Sequence, residues 1–183
     1  LGDIETIDLD GKKIVPGLID QHLHITGGGG EGGYKTKVPE LPLSLLIKAG
    51  ITTAVGLLGT DSVTRSVENL ASKALALTEE GITTYFLTGS YEYPSPTITG
   101  SAKKDIVFIE NCIGIKIAAN DHRDSAIRAD ELARIGSEAR VAGMISGKSG
   151  HVTVHLGSGK FNLDQIYKAI DISNLPITTF RPT

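Results

Sequence analysis

Short apolar runs bounded by glycine, proline or aspartate recur along the chain about every thirty residues, and amphipathic segments fill the spaces between them. The runs open near residues 18, 51, 82, 113, 151 and 177, and include ITTAVGL, ITTYFLT, IGIKIA and HVTVHL. They are too short for buried helices and rich in β-branched residues, so they read as strands buried on both faces. Between them the pattern predicts helices over 41–49, closed by Gly50, and 64–80, stopped by Gly81. It predicts a short helical turn from 101 to 112 and helices over 129–146 and 163–172. Asp130 and Glu131 suit the positive end of the longest helix, and Pro176 follows the last one. Ahead of these units, residues 1–14 alternate around Asp10-Gly11 and read as a β-hairpin.

Strand and helix alternation without a sequence repeat is a βαβ chain, compatible with a doubly wound sheet or a (β/α)8 barrel. His22, His24, Thr60, Tyr91, Lys116, Arg123 and His155 fall at or just beyond the C-terminal ends of predicted strands. In a barrel those ends converge on one centre, whereas an open sheet spreads them along an edge. The expected fold is therefore α/β, a partial (β/α)8 TIM barrel of about six strands, preceded by the remnant of a small β domain. Residues 1–15 are assigned to that remnant and residues 16–183 to the N-terminal part of the barrel. Leu1 is not an initiator methionine and residue 183 closes a strand-like run, so the chain reads as cut at both ends, with about two strands outside it.

Composition narrows the function. The chain has 183 residues, 40% hydrophobic and 21% charged, an ordinary globular balance with enough length for a core. A net charge of −3 and few aromatics argue against nucleic-acid binding. No apolar run is long enough to span a membrane and no leader pattern opens the chain. The single cysteine, Cys112, allows no internal disulfide, and a cytoplasmic location is expected.

The densest chemistry lies in residues 15–31, VPGLIDQHLHITGGGGE. In an extended strand Asp20, His22 and His24 share one face while Ile19 and Leu23 take the other. Two imidazoles then converge, either as transition-metal ligands or as core histidines satisfied by backbone carbonyls. Pro16-Gly17 before the strand and Gly27 to Gly30 after it place the pair at a strand mouth, where α/β folds build sites. Lys116 interrupts the fourth apolar run. A buried lysine must lose its proton, find a partner carboxylate, or be modified. With His155 on the fifth strand, these are four metal-compatible groups at the same strand ends. Asp20 lies deeper and reads as a support for its strand, His122 as a loop hydrogen-bonder, and His151 lies at the wrong strand end. Two rival motifs fail. Gly147-Lys148-Ser149 lacks the earlier glycine of a phosphate loop, Ala142 standing there, and the four-glycine run does not open a helix.

PGLIDQHLH, followed by a lone lysine on the fourth strand and a histidine on the fifth, resembles the amidohydrolase superfamily of metal-dependent barrel hydrolases. More closely, ITGGGGEGGYKTKVPE, VGLLGTDSVTRS, LTGSYEYPSPTITGS, GIKIAANDHR and VAGMISGKSGHVTVHLG resemble the isoaspartyl dipeptidase family over essentially the whole chain. The resemblance implies two Zn2+ per full-length subunit. His22 and His24 would bind the first, His155 the second, and a CO2-derived carbamate on Lys116 would bridge them. A sixth-strand histidine and an eighth-strand aspartate would come from outside the chain. It also implies β-aspartyl dipeptides as substrates, attacked at the β-amide carbonyl by a metal-bridging hydroxide. Tyr91 would be the catalytic residue that binds and polarises that carbonyl, Glu31 would take the α-ammonium, Arg123 a carboxylate, and Thr60 would line the pocket. A homo-oligomer is implied as well. Two alternatives stay open. A cyclic-amide hydrolase of the dihydropyrimidinase or dihydroorotase kind shares the histidines and the lysine, although it has no free ammonium for Glu31. The other is an inert barrel used for binding or assembly.

Overall fold

The computed structural model describes Gly2 and residues 4–183. Six strands form one sheet: β1 (Leu18–Leu23), β2 (Ile51–Gly56), β3 (Thr83–Gly89), β4 (Cys112–Ala119), β5 (His151–Leu156) and β6 (Phe180–Pro182). All neighbours are parallel and the spatial order follows the chain order, β1 to β6. The order never reverses, so the sheet lacks the switch point of a doubly wound fold and is the curled half-barrel that the strand-end argument favours. One exposed side-chain hydrogen bond links its two outer strands, Arg181 of β6 donating to Gln21 Oε1 of β1 at 3.0 Å.

The connecting helices are α1 (Leu43–Lys48), α2 (Val67–Glu79), α3 (Ala102–Phe108), α4 (Ala129–Ser146) and α5 (Asp164–Ser173). Most of the core lies between them and the sheet, including Leu70, Leu77, Phe86, Ile106, Ile117, Leu132 and Val154. A smaller cluster of Val55, Leu57 and Leu87, with Ile113 against it, fills the inside of the curl. Strands sandwiched in this way explain why the apolar runs are continuous rather than alternating.

Local chemistry sets the helix ends. Ser66 caps α2 by accepting from the Asn69 amide at 3.2 Å, and Gly147 ends α4 in the left-handed region. The Asp61 carboxylate captures the amides of Val63 and Thr64, which delays α2 to Val67. Lys148, of the rejected phosphate-loop motif, donates to the Ile106 and Ile109 carbonyls at the end of α3. Near the C-terminus Pro176 accepts from the Thr179 amide, so residues 177–179 form a 3-10 turn and β6 starts at Phe180.

The N-terminal hairpin is realised only as its turn. Asp10 and Gly11 both have positive φ, and the Lys12 amide donates to the Leu9 carbonyl at 2.9 Å. No residue from 4 to 17 lies in a strand, and Ile4, Ile7 and Ile14 are 88%, 72% and 81% exposed. A two-stranded ribbon with no layer against it has little to hold it together. Leu1 and Asp3, within the expected hairpin, lie outside the described residues. Among the described residues no helix is long and apolar enough to cross a membrane.

Candidate active site

The C-terminal end of β1 carries the two histidines, with ring centroids 5.7 Å apart and nearly perpendicular planes. His24 Nδ1 lies 3.1 Å from the Leu57 carbonyl oxygen, which can only accept. Nδ1 therefore carries the proton and Nε2 keeps its lone pair, the arrangement found when a histidine serves as a metal ligand. Burial, then the charge of Lys116, brings the His22 pKa down to about 4, and the same two causes lower that of His24. Both imidazoles are neutral at pH 7. Asp20 accepts from the His22 amide at 3.0 Å, the strand-supporting role expected of it.

Lys116 lies on the inner face of β4 with no exposure, and its Nζ has no hydrogen-bond partner among the described residues. Burial alone lowers its pKa to about 7. The Tyr91 ring centre is 5.5 Å from Nζ, and the same ring stacks on His155 at 4.4 Å with an interplanar angle of 21°. Tyr91 is buried, which raises its pKa, so its hydroxyl stays a donor.

Beyond the strand ends, Glu31 Oε1 accepts from Thr60 Oγ1 at 2.8 Å and from Arg123 Nη1 at 3.0 Å. The Thr60 hydrogen bond and then Arg123 hold the Glu31 carboxyl below its usual range. Arg123 forks onto Asp121, with Nε and Nη2 at 2.8 and 2.9 Å from its two oxygens. His155 Nε2 stands 2.9 Å from Asp121 Oδ2 and 3.1 Å from Arg123 Nη2, so the ring is tied to both members of this pair. The arginine first, and His155 with it, keep the Asp121 carboxyl ionised well below the ordinary carboxylate range.

The eight residues singled out in the sequence thus form one connected group, from Glu31 and Thr60 through Arg123 to His155, Tyr91 and Lys116, with His22 and His24 beside them. Asp121, which the sequence reading passes over, is its hub, its side chain only 3% exposed. His151, buried at the opposite end of β5 against Ser149, takes no part. A cavity of about 80 Å3 is lined by His24, Glu31, Thr60 and Tyr91 among others.

Among the described residues no three His, Cys, Asp or Glu side chains gather as a metal cage. The donor set is three imidazoles around a lysine, and it fits a metal only through that lysine. An orphaned Nζ whose proton is loosened by burial, beside two histidines with lowered pKa, is consistent with such a group.

No family model matches the chain. Imidazolonepropionase from Fusobacterium nucleatum subsp. nucleatum is 37% identical over 95 residues, 48% of this chain and 22% of that protein. A crystal structure of β-aspartyl dipeptidase from the thermophilic keratin degrader Fervidobacterium islandicum AW-1 is 51% identical with a TM-score of 0.89. It covers 91% of this chain, which in turn covers 46% of that enzyme. A second structure of that enzyme, in complex with a β-Asp-Leu dipeptide, matches with the same identity and TM-score, 45% of it covered. Over a little less than half of that enzyme's length, the chain is a structural homologue of β-aspartyl dipeptidase, an enzyme of the amidohydrolase superfamily.

Proposed function

We propose that the protein carrying this chain is a metal-dependent hydrolase of β-aspartyl dipeptides, with residues 16–183 the N-terminal part of its barrel and residues 1–15 the remnant of a small β domain. The observation that carries this reading is the Glu31–Arg123 ion pair at the mouth of the curl, 3.0 Å long and anchored from behind by Asp121. In a β-aspartyl dipeptide one carbon bears both a free ammonium and a free carboxylate. That zwitterion can replace the internal pair without leaving a charge unpaired, its ammonium on Glu31 and its carboxylate on Arg123. In an α-linked dipeptide that carboxyl is consumed in the amide, and a ring amide has no free α-ammonium for Glu31.

With the head group held there, the scissile carbonyl lies toward Tyr91, whose protonated phenol is suited to donate to a developing oxyanion. His22, His24 and His155 would hold two zinc ions, with Lys116 as a carbamate between them. The carbamate forms when a neutral amine adds to CO2 and releases a proton, and a lysine with a pKa near 7 is available for that at neutral pH. When bound, the metal ions would supply Lewis acidity and an activated water for amide hydrolysis. The aligned 95-residue stretch of imidazolonepropionase supports a second reading, hydrolysis of a ring amide.

Glu31→Gln in the full-length protein tests the assignment. Loss of the charge partner should lower kcat/KM on β-aspartyl dipeptides about ten- to a hundredfold with metal content unchanged. Equal activity in variant and parent would make Glu31 a solvated loop charge.

A further inference from the structure

The Glu31 loop raises a physical problem: four consecutive glycines precede the residue that is to receive a charged group, and such a loop is costly to order. The structure supplies a staple. Arg65, in the loop before α2, donates through Nε to the Thr26 carbonyl at 3.0 Å and through Nη2 to the carbonyls of Gly28 and Val38, at 3.2 and 2.9 Å. Residues 26–28 are the outgoing leg of the loop and Val38 the returning one, and the Val38 amide donates to Gly28 at 2.8 Å. One planar guanidinium thus ties both legs together at the base, with Glu31 near the tip.

Its remaining nitrogen reaches Asp61 Oδ2 at 3.0 Å, and the Arg65 side chain is only 10% exposed. Asp61 directly follows Thr60, the residue whose hydroxyl donates to Glu31. Lys37, on the returning leg, pairs with the same carboxylate at 3.5 Å. The loop after β1 and the loop after β2 are therefore locked by charge at two points, and the Thr60–Glu31 bond lies where the locked loops meet.

We propose that Arg65 is a positioning residue for ammonium recognition: through the carbonyls of the glycine loop and through Asp61 it holds the Glu31 carboxylate where Thr60 and the substrate reach it. It touches no reacting atom. The inference rests on the reading of Glu31 given above. Lysine keeps the charge but cannot donate in three directions within one plane, so Arg65→Lys should loosen the loop and leave the metal site alone.

A double-mutant cycle in the full-length, zinc-loaded protein, with a β-aspartyl dipeptide as substrate, separates the possibilities. Arg65→Lys should raise KM about tenfold with kcat and bound zinc little changed, and should add nothing further in the Glu31→Gln background. Arg65→Ala should show the same pattern, relieved in part by added guanidinium ion at concentrations that leave the parent folded. Additive losses in the cycle, a fall in kcat with loss of zinc, or absence of a folded state in both variants would make Arg65 a general structural stay and overturn the proposal. A silent Glu31→Gln would instead remove the ammonium reading itself, and the positioning role with it.

Discussion

Lys116 has no hydrogen-bond partner for its ammonium, and burial lowers its pKa from 10.5 to about 7. The sign of the stability effect follows. Below about pH 7 the lysine is charged in folded and unfolded chains alike, and folding carries the full penalty of burying it. Between 7 and 10.5 the unfolded chain binds more protons than the folded one, so stability rises with pH, and above 10.5 the penalty is gone. In metal-free protein at low CO2, the stability difference between parent and Lys116→Met should shift in favour of the parent across that window in urea titrations. A flat difference would show that Lys116 is paired. With metal, Lys116→Ala should lose tight zinc binding and activity together, and short carboxylic acids that fill the vacated space should restore part of both. The histidines, the lysine and Glu31 are legible in the sequence because their residue types are unusual where they stand. Asp121 is not, because an aspartate in a loop is ordinary until the fold brings Arg123 and His155 onto its two oxygens.

Elements were legible where one local signal dominates. α4 runs over 129–146 as its pattern predicts, since Glu131 reaches back to the Arg128 amide and Gly147 closes the other end. The start of α2 is not legible to the residue, because Asp61 and Ser66 both offer side-chain oxygens to backbone amides and only Ser66 leads into the helix. The hairpin is the plainest departure: alternation and a turn signal give the turn, but strand pairing needs a layer to pack on. Contact between elements also depends on glycine. At Gly143 in α4 an added Cβ would stand 2.7 Å from Gly150 Cα, just before β5, where backbone cannot yield. Gly143→Val should cost about 1–3 kcal/mol in urea unfolding. A loss within about 0.5 kcal/mol would mean that α4 and β5 can separate freely.

At the scale of the whole molecule, parallel pairing in chain order curls the sheet, and the curl brings residues from the first five strands and their loops onto one centre. The βαβ pattern alone feeds an open sheet or a barrel; the gathering of candidate residues at the strand ends favours the barrel, and the strand order agrees with it. Leu18 and Ile19 on β1 are 61% and 64% exposed, on a strand whose other edge has no partner among the described residues. The proposed function has this centre recognise an ammonium and a carboxylate on one carbon and cleave the amide beyond them. It is tested most directly by product release from β-Asp-Leu and its α-linked isomer with full-length, zinc-loaded protein. Aspartate and leucine should be released from the β-linked dipeptide and neither from the α-linked one. Equal cleavage of both, or hydrolysis of a ring amide with the β-linked dipeptide left intact, would contradict it.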